Sequence, residues 1–375
     1  MRISVLGAGP AGLYLAYLIK RRRPAAQVRV VEQNPAHATF GFGVVFSDRA
    51  LDFLREDDPE TYAAITPHME SWSDITLVHR NERIAIDGIG FAAVGRLTLL
   101  QLLQERARAV GVSMDFERPL RSLDELDDAD LVVGADGVNS LVRKTFADAF
   151  GASLAYLANR FAWFGTTAVF DTLTQTFRHT PIGDFNAHHY RYAPGRSTFI
   201  VETDAATFAR AGFDTMEEGD ARALCEKIFA GALGDARLIS NNSIWRRFPQ
   251  VRNARWHHGK YVLIGDAAHT AHFSIGSGTR LAMEDAIALN RALAGSGDDV
   301  ATALPAYENA RRPIVGKIVS GADASARWYE DFAGHMALAP IDFAMAYVQR
   351  SGRIDLERLR KLSPKFVARY EASRP

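Results

Sequence analysis

Six residues near the start of the chain, Gly7-Ala8-Gly9-Pro10-Ala11-Gly12, constrain the fold more than any other feature. Residues 3–6 before them form a short apolar run with the character of a buried strand, and residues 13–20 after them carry helical periodicity. Glycines so spaced between strand and helix suit a turn that approaches a pyrophosphate. Gly7 makes the tight turn, Gly9 lets the backbone come close to the phosphates, and Gly12 lets helix and strand pack together. The helix start at Pro10 and Ala11 then offers free N–H groups and a partial positive charge. A second apolar run, residues 28–31, ends at Glu32 and Gln33, where a carboxylate can accept hydrogen bonds from both hydroxyls of a ribose. The arginines at 21–23 are expected to cap the helix C-terminus, where cations are favoured.

A second turn lies far along the chain: Gly265-Asp266-Ala267-Ala268-His269, followed by Gly276-Ser277-Gly278. An apolar strand over 261–264 leads into it and a helix over 279–294 leads out. Two such turns suggest one long nucleotide held at both ends, which points to FAD. Asp266, at the C-terminal end of a buried strand, can hold ribityl hydroxyls, or can cap the helix that follows. The helix beginning near Gly278 and Thr279 can aim its N-terminus at the pyrimidine edge of a flavin, where negative charge accumulates on reduction.

Bulk properties remove other classes. A chain of 375 residues exceeds one ordinary core, so two intertwined domains are expected. Lys plus Arg and Asp plus Glu are each 44, so neither nucleic acid nor an anionic membrane is an expected partner. The single cysteine, Cys225, cannot form an internal disulfide and reads as a buried filler. No apolar run reaches membrane-spanning length, the first residues enter a core strand directly, and the cytoplasm is the expected compartment. The histidines show no metal-ligand spacing, so no metal is expected.

The expected class is α/β: a Rossmann-like FAD-binding domain with an inserted, mainly antiparallel β-sheet substrate domain and C-terminal helices. The FAD-binding domain takes residues 1–70, 92–152 and 258–330; the sheet domain takes 71–91 and 153–257; a polar helical tail takes 331–375. Strand-like alternation over 72–91, 161–170, 185–192 and 197–202 supplies the sheet. A helix over 96–110 carries Leu99, Leu100, Leu103 and Ala107 on one face, and a helical pair runs over 205–233.

Three ordered motifs, Gly7 to Gly12, Asp136-Gly137 through Arg143, and Gly265-Asp266 through Asp285, together with Arg96, Leu99 and Leu103, resemble the single-component FAD-dependent aromatic hydroxylases of the 4-hydroxybenzoate hydroxylase type. The segments 39–48 and 272–279 are similar to those of the salicylyl-CoA and anthraniloyl-CoA hydroxylases, and His272-Phe273-Ser274-Ile275-Gly276 is similar to the tryptophan hydroxylase of violacein synthesis. The resemblance implies that NADH or NADPH docks transiently to reduce FAD, and that O2 then yields a flavin C4a hydroperoxide which hydroxylates an aromatic ring. It implies that Arg96 reaches the FAD pyrophosphate and that Gly41 to Val45, including Gly43 and Val44, line the flavin, unless they form a simple flexible turn. Arg143 is either an attractor for the nicotinamide cofactor or an exposed helical arginine.

His272 and Phe273 stand where many relatives have two prolines, which puts them beside flavin and substrate. His272 could polarise a phenol or thioester oxygen, or could hydrogen-bond the loop backbone. Trp163, Tyr190 and Trp245, with Phe164, Phe185, Tyr192 and Phe248, are candidates to roof the flavin and meet the substrate. The resemblance implies a CoA thioester as substrate, with Arg160, Arg178, Arg191, Arg196, Arg246 and Arg247 as candidate phosphate contacts; tryptophan or a free aromatic acid is the alternative substrate, and a non-oxygenating FAD dehydrogenase or flavin-binding module the alternative function. A homodimer is a further expectation.

Overall fold

The computed structural model describes residues 1–47 and 51–374, so Asp48, which closes the 39–48 segment, lies outside the described residues. The apolar run after Met1 becomes the strand Arg2–Leu6, the third from one edge of a six-stranded sheet. From the far edge the order is His257–His258, Tyr261–Leu263, Leu131–Gly134, Arg2–Leu6, Gln27–Val31 and Ser113–Asp115. All neighbours run parallel except the short His257–His258 edge. A parallel sheet is covered on both faces, and these strands are accordingly near-continuous in Val, Ile and Leu, with Val5, Val30, Val132 and Val133 fully buried. The helices Pro10–Arg22, Arg96–Ala109 and Gly278–Gly295 belong to this core. Parallel register brings Gly7, Ala135 and Gly265 together just beyond the strands' C-terminal ends, which is where open α/β sheets bind ligands.

Arg21, Arg22 and Arg23 do more than sit at a helix end. Arg21 reaches buried Asp58 at 2.7 Å, while Arg22 and Arg23 share Asp298, tying the first helix to two distant loops.

A second sheet of seven strands stands opposite, in the order Leu238–Ile239, Arg160–Thr166, Arg196–Thr203, Gly183–Ala193, Leu173–Thr180, Ile75–His79 and Glu82–Ile86. It is antiparallel apart from the Leu173–Thr180 and Ile75–His79 pair. The strand Leu173–Thr180 escapes sequence reading because its buried positions include Thr174, Gln175 and Thr176, which look like a loop until neighbours supply partners. Period-two alternation then sorts the residues. Ala162, Phe164, Phe185, Ala187, Phe199 and Val201 pack rearward on Phe213, Cys225 and Phe229 of the 205–233 region. Phe161, Trp163, His188, Tyr190 and Ile200 point forward, toward the first sheet.

The 31-residue helix Val300–Glu330 joins both layers: Leu304 and Tyr307 lie in the first core, Trp328 and Tyr329 in the second. The helices after it are apolar on their inner faces. Phe343, Tyr347 and Phe366 bury against Leu77, Ile84 and Ile86, and Asp87 accepts hydrogen bonds from the N–H groups of Lys365 and Phe366 at the start of the last helix.

Candidate functional site

Between the forward face of the seven-stranded sheet and the C-terminal ends of the parallel strands lies a cavity of about 1000 Å³. The first glycine turn is not among the residues that line it, but stands next to the second turn, with Ala11 3.2 Å from the Cβ position of Gly265. Gly7 has φ of +99°, and a Cβ there would sit 2.4 Å from the carbonyl oxygen of Ala135. A Cβ on Gly12 would sit 2.1 Å from the Gly7 carbonyl oxygen, so this position also excludes any larger residue. Gly9 differs: nothing lies within 4 Å of its Cβ position, so its backbone faces open space. Glu32 is fixed beside the turn, accepting from Ala8 N–H at 2.8 Å through Oε2 and from the Asn34 backbone N–H at 2.8 Å through Oε1. Gln33 next to it is exposed.

The second turn is held by a buried ionic network. Asp285 is fully buried; its Oδ2 accepts from Gly265 N–H at 2.9 Å and pairs with His269 Nε2 at 2.8 Å, while Arg311 Nε reaches Oδ1 at 2.6 Å. Burial opposes its charge, yet His269 and Arg311 hold the carboxyl below the usual range. The turn thereby projects Asp266 into the cavity, making no side-chain cap to the following helix. Enclosure pushes the Asp266 pKa up, against the opposing pull of His269 and Arg96.

Arg96 opens its helix on the cavity wall and faces Asp266. Its Nε is buried with no hydrogen-bond partner, and burial pushes its pKa down. An orphaned buried guanidinium N–H is costly, and an anionic oxygen in the cavity resolves it. Opposite, the helix Gly278–Gly295 begins at Ser277 without a side-chain cap, so the N–H groups of its first turn face the cavity together with Ser277, Gly278 and Thr279. Gly276 needs its φ of +60°, and a Cβ there would crowd Val45 at 3.0 Å; over Gly278 the space is open. Open backbone at Gly9 and Gly278, an unpaired buried guanidinium, a projecting carboxylate and an uncapped helix end together match a long dinucleotide.

Residues 125–322 match the family model described as "FAD binding domain". The chain is 46% identical to the salicyloyl-CoA 5-hydroxylase of a Streptomyces species over 361 residues, 94% of this chain and 70% of that protein. This chain belongs to the FAD-dependent aromatic monooxygenases. The monooxygenase is also 39% identical to the 3-hydroxy-4-methyl-anthranilyl-[aryl-carrier protein] 5-monooxygenase of Streptosporangium sibiricum, covering 88% of this chain and 89% of that one. Its fold is shared with 2-methyl-3-hydroxypyridine-5-carboxylic acid oxygenase, at a TM-score of 0.70 and 20% identity over 98% of each chain.

In this monooxygenase the roof carries several expected residues and rejects others. Trp163, Tyr190 and Phe273 line the cavity. Trp163 leaves its buried indole N–H unpaired, and the Tyr190 hydroxyl donates to the Gly43 carbonyl at 2.9 Å. Gly43 belongs to a strand, Gly43–Ser47, not to a flexible turn. It packs on Tyr192, where a Cβ would meet the side chain at 2.5 Å, while Gly41, Val44 and Val45 line the cavity. Trp245 lies behind the sheet, its ring 4.4 Å from Phe213, on an irregular segment that meets Arg160–Thr166 only through the single bridge between Phe161 and Arg246.

Of the two parts expected of His272, the contacts present are those within its own loop, where Nδ1 also accepts from the Ser274 backbone N–H at 3.4 Å. His272 is buried behind the wall, not on it; its Nδ1 pairs with Ser274 Oγ at 2.8 Å, and burial pushes its pKa down to about 4. Its part is therefore to brace the loop that presents Phe273. Arg143 is neither exposed nor free: it is buried and donates to the carbonyls of Ala267 and Val138, stapling the Asp136-Gly137 turn to the Gly265 turn.

Sequence reading missed His188, which does line the cavity. With the Tyr329 hydroxyl donating to Gln175 Oε1 at 3.2 Å, the Gln175 amide donates to His188 Nδ1 at 2.8 Å, so the neutral ring carries its proton on Nε2. That Nε2 is 3.7 Å from Glu202 Oε2, and both atoms are otherwise without partners. Burial lowers the His188 pKa to about 3 and raises that of Glu202.

Proposed function

We propose that this monooxygenase hydroxylates the ring of an aryl-CoA thioester, salicylyl-CoA at ring carbon 5, using O2 and a transiently docked NADH or NADPH. The observation that carries this reading is the 46% identity to a salicyloyl-CoA 5-hydroxylase over 94% of the chain. FAD, when bound, supplies the electron transfer and oxygen activation. The residues in hand supply the rest. Gly7, Gly9, Pro10, Ala11 and Gly12 would receive the pyrophosphate, Glu32 the adenosine ribose, Arg96 a phosphate oxygen, and Asp266 the ribityl hydroxyls. The uncapped first turn at Gly278 and Thr279 would offer its free N–H groups and partial positive charge to an electron-rich edge of the flavin. Phe161, Trp163, Phe273 and Tyr190 exclude water, which protects oxygen transfer from wasteful decay. Neutral His188, on the cavity wall with an Nε2 N–H that has no hydrogen-bond partner, donates that proton toward a ring or thioester oxygen.

Reduced-cofactor consumption and product should be followed with salicylyl-CoA, salicylate and tryptophan. Coupled turnover is expected with the thioester alone. Oxygenated product from salicylate or tryptophan, with none from salicylyl-CoA, would refute the assignment.

A further inference from the structure

We infer that Arg353 and Arg358 seat phosphates of the substrate's coenzyme A arm, where the cavity meets the C-terminal helices. This rests on the aryl-CoA reading above.

Charge distribution is the first observation. Acidic and basic residues balance at 44 each over the chain, yet the cavity wall carries Arg96, Arg246, Arg280, Arg350, Arg353 and Arg358 against one acid, Asp266. Such a wall focuses positive potential on whatever enters.

Side-chain partners then separate the arginines. Arg96 faces Asp266; Arg280 pairs with Glu284 at 2.7 Å; Arg350 is spent on Ser325 Oγ, the Tyr347 carbonyl and the Ser274 carbonyl at 3.0, 2.7 and 2.8 Å. Arg353 and Arg358 have no ion pair among the described residues. Arg353 donates to the Lys317 carbonyl at 3.5 Å, and Arg358 to the Arg353 carbonyl at 3.3 Å, which keeps the two guanidinium groups on one turn. The neighbouring acid, Asp355, is turned into its own helix and accepts from Arg358 N–H at 2.8 Å. Two exposed guanidinium forks so placed suit the doubly anionic, multi-oxygen geometry of a phosphate or pyrophosphate.

The wall next to the pair fits the remainder of the arm. Val348, Ile354 and Ile318 line the cavity beside it, an apolar surface suited to the methyl-bearing pantetheine chain. Of the six sheet-domain arginines named from sequence only Arg246, on the cavity wall and without an ion pair among the described residues, could share the role; it lies over Phe40. Arg191 is paired with Glu70 at 2.7 Å, and Arg247 donates to the carbonyls of Leu157 and Tyr156.

The test uses the holoenzyme and two substrates that share the aryl thioester: salicylyl-CoA, and salicyl-pantetheine, which has no phosphate. For the double variant R353Q/R358Q, KM for salicylyl-CoA should rise about ten- to a hundred-fold, the scale of losing one or two charge-assisted hydrogen bonds. Its constants with salicyl-pantetheine should stay within about twofold, and the variant should lose its preference for the CoA form. Melting temperature and flavin spectrum report that both proteins are folded and loaded. An unchanged KM for salicylyl-CoA in the double variant, or equal use of both thioesters by the wild type, would overturn the seat while leaving the thioester reading standing. Turnover of the free acid with neither thioester would overturn both.

Discussion

Arg311→Met removes the cation that compensates Asp285 while keeping most of the side chain's apolar stem. The native guanidinium makes contacts of 2.6 Å to Asp285, 2.7 Å to Glu284 and 3.2 Å to the Leu281 carbonyl, in a residue only 4% exposed. Breaking one side of a buried ion pair costs about 3–5 kcal/mol, because the remaining charge stays desolvated. Asp285 keeps His269 and the Gly265 N–H, so the lower end applies, about 3 kcal/mol. That is a large share of the roughly 5–15 kcal/mol of a folded protein, and it corresponds to a melting shift on the order of 4 °C. Urea unfolding of the apo and FAD-loaded forms measures it, with an unchanged slope as the check that only stability moved. The double variant Arg311→Met/Asp285→Asn leaves no uncompensated charge and should recover part of the loss. Linkage adds a signature. The folded Asp285 pKa is depressed, so its stabilising share is full above the unfolded carboxylate value and fades as pH falls through the folded one. Wild type and variant should therefore converge toward acid pH. A single variant within about 0.5 kcal/mol of wild type, or a double variant no more stable than the single, would refute the reasoning.

Three more outcomes are expected. Gly9→Ala should leave apo stability within about 0.5 kcal/mol but weaken FAD binding at least about tenfold, whereas Gly7→Ala should fail to fold or lose more than about 2 kcal/mol, because its Cβ meets backbone. FAD titration of Gly9→Ala giving a wild-type Kd would remove the pyrophosphate role. Burial lowers His188, His189 and His272 to about 3, about 3 and about 4, so each takes up a proton on unfolding, and stability is full above about pH 6.5 and falls as pH drops below it. His189→Gln, behind the sheet, should flatten that slope by about 1.4 kcal/mol per pH unit in urea titrations; an unchanged slope would contradict the buried-neutral assignment. His188→Asn should keep FAD bound and cofactor oxidation running while product formation falls about 100-fold, and unaltered coupling would exclude His188 from proton handling.

The dinucleotide turns were legible in sequence because their requirement is local. A positive φ at Gly7 and a close approach at Gly12 leave glycine as the only residue, and strand and helix periodicity announce themselves on either side. The forward and rearward sorting of roof aromatics was half legible. Alternation is visible along Arg160–Thr166, but which face meets the cavity is set by pairing with Arg196–Thr203. His188 and Glu202 were hidden because they meet only across the register of Gly183–Ala193 with Arg196–Thr203. Arg311 was hidden because its partner Asp285 lies on another helix. His272 sat in the right segment, yet side-chain direction depends on the turn at Phe273–Ile275, where the backbone sends Phe273 outward and His272 in.

The docking of the C-terminal helices on Glu82–Ile86 has a temporal meaning. That strand is the last of its sheet, and its apolar face lies open until Phe343, Tyr347 and Phe366 cover Ile84 and Ile86. An edge strand with an uncovered apolar face templates association with other chains. During synthesis the edge emerges more than two hundred residues before its cover. A chain stalled or cleaved before residue 343 should therefore be aggregation-prone even with its FAD-binding glycines intact. The last helices of the described chain act as its built-in chaperone.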